Sequence, residues 1–257
     1  MKAYVVDSAA VRSNLQQLQT RAGSAVLWAV LKGDGYGLGL LPMAAICREA
    51  GVTHFAVTEV SEVSRLRAGG FQDCDILMLR PTADAQELTQ LLNLGGYDFV
   101  TLGNHDFDYG KEVIERYLDS LRAVCLCANV EGIRGVQKTT VVTMENGLRV
   151  GLTGIITPFV TQFETPENMA GITVTDAFAA AWQALSELRR KQVDLTICIY
   201  HGGFEADVKT GKILSQTGEN QGWRICRELG FDVLLAAHQH MEAENLQIGG
   251  TYTCQPP

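Results

Sequence analysis

The stretch YDFVTLGNHDFDYGKEVIERYLDSLR, Tyr97 to Arg122, decides how this chain is read. YDFVTL is an apolar run of strand length, and GKEVIERYLDSLR reads as a helix. Between them Asn104, His105, Asp106 and Asp108 bring an amide, an imidazole and two carboxylates into one turn bounded by Gly103 and Gly110. Such a turn could take part in holding a metal ion, but a metal needs more ligands than the turn supplies. The rest of the chain has to provide them.

Downstream, AVCLCANV reads as a buried strand. TTVVTMENGLRVGLTGI reads as a hairpin, because ENG is turn chemistry between two β-branched runs. TDAFAAAWQALSELRRKQ is a long amphipathic helix, and VDLTICIY is a buried strand that ends on His201. ENQGWRICRELG is a helix, and FDVLLAAHQH is a strand running into His238 and His240. Upstream, SAAVRSNLQQLQTR places Val11, Leu15 and Leu18 at helical spacing behind a Ser or Asp cap. Three strand-then-helix units follow, starting at AVLWAVL, THFAVT and DILMLR, the signature of a parallel sheet or the beginning of a βα barrel. The whole chain therefore reads as α/β.

The chain has 257 residues, 46% hydrophobic and 19% charged, which is ordinary for a soluble globular protein. A net charge of -8 with no cluster of Lys and Arg argues against binding a nucleic-acid polymer. A small anionic substrate remains compatible if a cation mediates. No leader-like apolar segment opens the chain, and no run approaches the roughly 18 apolar residues of a membrane span, so the expectation is a cytoplasmic protein without a membrane partner. Oligomeric state is not legible. The seven cysteines contain no CxxC pair, and Cys125 and Cys127 read as buried strand thiols rather than as ligands.

VLKGDGYGLG, Val30 to Gly39, puts Lys32 at the end of a strand, before a glycine-rich turn and a helix with Pro42 near its start. This stretch, with VVDSAAVRSNLQQL before it and THFAVTEVSEVSRLRAGG after it, resembles the N-terminal pyridoxal-phosphate barrel region of alanine racemases. The resemblance covers residues 3–92 and implies that Lys32 forms a Schiff base with pyridoxal phosphate while Tyr36 shapes its pocket. Three βα units do not close the barrel that would fix the cofactor and depress the lysine pKa. Taken by itself, Lys32 reads as a solvated lysine in a glycine-rich loop, and pyridoxal phosphate as a group this region does not hold.

LGNHDFDYG resembles a signature of the calcineurin-like metallophosphoesterases, in the branch of 5'-nucleotidases and cyclic-nucleotide phosphodiesterases. VGLTGIITP, VDLTICIYHGGFEAD, GENQGWRICREL and FDVLLAAHQHMEAE follow in that family's order, so the resemblance runs from about residue 93 to the end. It implies Asn104, His201 and His238 as ligands of one divalent ion (Mn, Zn or Fe) and His240 as a ligand of a second. In that scheme His105 stabilises the phosphate or protonates the leaving group, and Asp108 orients its ring. The implied substrate is a small phosphate ester or nucleotide. Asp106 reads as an ordinary turn acid, and His54 as a surface or packing residue.

The family's DxH and GDxxxG motifs, which supply further ligands and a carboxylate bridging two ions about 3.5–4 Å apart, have no counterpart before residue 93. Nor does the chain contain the family's C-terminal nucleoside-binding domain. The expectation is thus a fusion: residues 1–93 a partial alanine-racemase-like βα region, and residues 94–257 an incomplete metallophosphoesterase αββα sandwich. The latter would be a hydrolase impaired by loss of the bridging Asp and keeping at most one ion. A racemase fragment and an inactive fusion are the alternatives.

Overall fold

A computed structural model describes residues 5–79 and 85–256. The chain divides into two compact units, one ending at Gly95 and the next beginning at Gly96.

In the first unit β1 (Trp28–Val30), β2 (His54–Val57) and β3 (Asp75–Met78) lie parallel in the order β1-β2-β3. The helices Leu40–Glu49 and Val60–Ala68 form the crossovers, as expected for successive parallel strands. Leu31, Leu40, Phe55, Val57, Leu66 and Phe71 close the core. The opening helix, Ser8–Ala22, is capped by Asp7, whose carboxylate accepts the amides of Ala9 and Ala10. Its apolar spacing buries less than the pattern promises, because Leu15 packs on the core while Leu18 stays exposed.

KGDGY does not form a loop of ordinary conformation. Gly33, Asp34, Gly35 and Tyr36 all have positive φ (62°, 54°, 64° and 56°), closing one left-handed turn. Such a turn disfavours residues with a Cβ. Here it is pinned from outside: the Asp34 amide donates to Glu62, and the Asp34 carboxylate accepts from the Leu40 amide and from Arg65. His54 stands 3.0 Å from Asp75 and meets the Trp28 ring edge-on.

The second unit is layered. β4 (Phe99–Val100), β5 (Val124–Leu126) and β7 (Val136–Gln137) form a parallel three-stranded sheet in that order, and β6 (Val130–Glu131) pairs antiparallel with β10 (Thr173–Val174). The main sheet runs β13-β14-β12-β11-β9-β8. Its parallel centre is β9 (Arg149–Ile156), β11 (Leu195–His201), β12 (Val233–Ala236) and β14 (Thr251–Gln255); the edges β8 (Thr139–Thr143) and β13 (Ala243–Ile248) run antiparallel.

One face of this sheet carries the helix Ala177–Arg190, which buries Ala177, Ala180, Ala181, Ala184, Leu185 and Leu188. The alanine stripe lets the helix sit close to the strands. On the other face β9 approaches the smaller sheet so nearly that a Cβ on Gly154 would stand 1.9 Å from the Leu126 carbonyl oxygen. Helix, sheet and second sheet are thus stacked as layers, the mixed α/β architecture expected. Leu102, Phe107, Ile114, Ile156 and Val160 fill the core beneath the GNHD turn. The cysteines at 125 and 127 are buried as read, and burial pushes the Cys125 thiol up to about 12.

Candidate metal centre

Parallel strands deliver their C-terminal ends to one edge of a layer, and that is where the polar residues of the second unit gather. β4 leads into the 3₁₀ turn Asn104–Phe107, β11 ends on His201, and the residues after β12 carry His238 and His240. Asn104 Oδ1 lies 2.8 Å from His201 Nε2 and 3.2 Å from His238 Nδ1. The two imidazole centroids are 5.2 Å apart.

Local sequence makes this convergence possible. Gly103 passes directly over the His201 ring, where a Cβ would lie 3.1 Å from the ring's Cε1. Gly202 and Gly203, after the histidine, have no room for a side chain: a Cβ would meet the Tyr200 ring and the Gln239 amide at 2.1 and 2.0 Å. His238 and His240 adopt positive φ, 77° and 51°, a conformation that costs a non-glycine residue about 1–3 kcal/mol and is concentrated at functional sites. Asp106 turns inward, its carboxylate accepting the Gly103 amide at 2.7 Å, and burial raises its pKa. It closes the turn.

His105 points outward, 86% exposed, with Nδ1 3.2 Å from the Asp108 carboxylate. The Asp108 carbonyl in turn accepts from the Asn168 side chain. Burial first, and then the imidazoles of His238, His105 and His240, push the His201 pKa down to about 4. His201 is therefore neutral at physiological pH, with a lone pair to offer.

The donor chemistry fits a borderline divalent ion. Among the described residues no group of three or more His, Cys, Asp or Glu side chains could hold a metal ion; what converges here is two imidazoles and one amide oxygen. Ligands about 2.1 Å from a common ion at right angles stand about 3 Å from one another, and the Asn104 contacts of 2.8 and 3.2 Å have that spacing. His240, two residues beyond His238, is exposed.

Lys32 and Tyr36 belong to the first unit, where both are exposed on the left-handed turn. Glu219, unremarked in the sequence, stands 3.0 Å from His238 Nε2. Its sequence signal was its place in the GENQGWRICREL stretch, where it read as the first residue of a helix that in the structure starts only at Gly222.

Comparison with known proteins bears on the same strand ends. A family model for the calcineurin-like phosphoesterases matches residues 71–242, more than half of the chain. The chain belongs to the calcineurin-like phosphoesterase family. A second model, for the N-terminal domain of alanine racemase, matches residues 6–104. Among curated relatives, a "Probable 5'-nucleotidase" of Treponema pallidum is 29% identical over 168 residues, covering 63% of this chain and 25% of that protein. An alanine racemase of Listeria monocytogenes is 41% identical over 78 residues, covering 30% of this chain and 21% of that enzyme. The solved structure of a candidate 5'-nucleotidase from Staphylococcus aureus matches with a TM-score of 0.62 at 25% identity, covering 84% of this chain and 42% of that one. The chain spans about a quarter of the length of this nucleotidase relative and a fifth of that of the racemase relative. No helix among its described residues is long and apolar enough to cross a membrane.

Proposed function

We propose that the chain hydrolyses small phosphate esters, of the kind cut by 5'-nucleotidases and 2',3'-cyclic-nucleotide phosphodiesterases, at a single divalent ion held by Asn104, His201 and His238. The observation that carries this reading is the approach of two imidazole nitrogens to one amide oxygen at the ends of parallel strands. Bound there, a divalent ion would polarise a phosphoryl oxygen as a Lewis acid. His105, solvent-facing at the rim, holds a proton for the departing oxygen, and Asp108 keeps the Nδ1 side of its ring oriented. His240, two residues beyond His238 and exposed, would be a further donor. Without a carboxylate to bridge two ions, turnover is slow, because only one of the reacting oxygens is clamped.

The test is hydrolysis of a chromogenic phosphodiester with Mn, Zn or Fe supplied, compared between the native chain and His201→Ala. Metal-dependent turnover that vanishes in the variant supports the proposal. A native chain that neither retains metal nor turns over refutes it.

A further inference from the structure

The two ring nitrogens of His238 face different neighbours. Nδ1 looks toward Asn104 Oδ1 at 3.2 Å, and Nε2 toward Glu219 Oε1 at 3.0 Å. A neutral imidazole carries one proton, and an ionised carboxylate only accepts. The contact with Glu219 is therefore a hydrogen bond when the proton sits on Nε2, which leaves Nδ1 as a bare lone pair. That lone pair then faces the amide oxygen of Asn104, itself only an acceptor, and two opposed acceptors are reconciled by a cation between them.

Glu219 is held for this task by more than its side chain. Its carbonyl accepts from the Thr157 hydroxyl at 2.7 Å and from the Tyr200 hydroxyl at 3.4 Å. Next to it, Asn220 Oδ1 accepts the Gly203 amide at 2.7 Å, and the Gln221 amide donates to Tyr200 at 3.1 Å. Tyr200 is fully buried, and Gly203 lies two residues beyond His201. The Glu219 loop is thereby fastened to the end of the strand that carries a candidate ligand. The His238 side chain is only 11% exposed and that of Glu219 31%, so water competes weakly for the bond.

We infer that Glu219 is a positioning residue: its carboxylate fixes the His238 proton on Nε2 and so presents Nδ1 toward Asn104 as a ligand for a divalent cation. The inference deepens the proposed metal site and rests on it. Carboxylates that orient a ligating histidine in this way change metal affinity by about 10–100-fold when removed.

Two readouts test it on the full chain. In metal-free protein labelled with nitrogen-15 histidine, the ring signals assigned to His238 by their loss in His238→Gln should be those of the Nε2-protonated form. Glu219→Ala should mix the two forms, while Glu219→Gln, whose amide oxygen still accepts, should keep the native pattern. In equilibrium dialysis against Mn or Zn, Glu219→Ala should bind about 10–100-fold more weakly than the native chain, with Glu219→Gln between them. A native His238 protonated on Nδ1, or a Glu219→Ala spectrum identical to the native one, overturns the inference even if the chain binds no metal. Native-like metal affinity in Glu219→Ala overturns it as well. A chain that binds no metal but shows the expected ring signals removes the proposed metal site and leaves the histidine–carboxylate pairing standing.

Discussion

Gln239 grips Phe204 by both of its backbone groups: the Phe204 amide donates to Gln239 Oε1 at 2.8 Å, and Gln239 Nε2 donates to the Phe204 carbonyl at 3.0 Å. The turn after His201 and the turn between His238 and His240 are thereby locked to each other. Gln239→Ala removes both bonds and leaves a partly buried amide and carbonyl unpaired. The expected cost is about 1–3 kcal/mol, read as a lowered urea midpoint of the metal-free protein. Metal affinity should fall alongside, because the register between the two histidines is no longer fixed.

His105 makes its carboxylate contact at the surface, so replacing it should leave the fold alone. His105→Ala is expected to lower kcat for a phosphodiester by about 10²–10⁴-fold, with metal stoichiometry and thermal midpoint unchanged. Asp108→Asn should give a smaller loss in the same direction. Equal loss of bound metal in His105→Ala would place His105 among the ligands instead.

Glycine is required at Gly154 by contact and not by backbone angle. A Cβ there would sit 1.9 Å from the Leu126 oxygen and 2.7 Å from Thr101 Oγ1, forcing the two sheets apart. Gly154→Ala should destabilise by an amount at or above the upper end of about 1–3 kcal/mol, measured by denaturant unfolding or, where soluble yield collapses, by expression at reduced temperature. Gly147→Ala is the control for steric contact: nothing lies within 4 Å of a Cβ there, and its positive φ of 85° leaves only backbone strain.

Glu205 supplies a pH test away from the histidines. Its carboxylate accepts the Trp223 and Arg224 amides at the start of the helix Gly222–Glu228, yet burial outweighs those bonds and raises its pKa above the ordinary 4.5. The folded state therefore holds this proton to higher pH than the unfolded state does. The contribution of Glu205 to stability is fully present below 4.5, declines as pH rises toward the folded value, and then levels. Urea midpoints of the native chain and Glu205→Gln, compared from pH 4 to 7, should diverge over that window, the native chain falling relative to the variant.

Incubation with pyridoxal phosphate followed by borohydride should leave Lys32 without a stoichiometric adduct, as judged by peptide mass. A stoichiometric label at Lys32 that is lost on altering the left-handed turn, for example in Gly35→Val, would revive the cofactor-binding reading of the first unit.

Much of the fold was legible because burial imposes period. The helix Ala177–Arg190 and the strand Leu195–His201 follow from their apolar spacing, and ENG closes the β8–β9 hairpin with Gly147 at positive φ. The two-residue strands β6 and β10 were not legible, since a pair of ladder residues carries no periodicity. Neither was the β13–β14 hairpin, where the chain turns at two glycines, Gly249 and Gly250, and β13 shifts register between Ala243 and Leu246. At the candidate centre the residue types were visible through the family resemblance. Their supports were not: Gln239 lies between two candidate ligands and Glu219 in a stretch that carries the resemblance, but each acts through a contact with a segment distant in the chain, which no local pattern reveals.

The left-handed backbone at His238 and His240 sets stability against use. Glycine is what the main chain alone would select at both positions, and a protein-engineering campaign guided only by melting temperature would drift toward it. Each such gain would delete an imidazole, so the most heat-resistant descendants of this chain would also be the emptiest at its chemical edge.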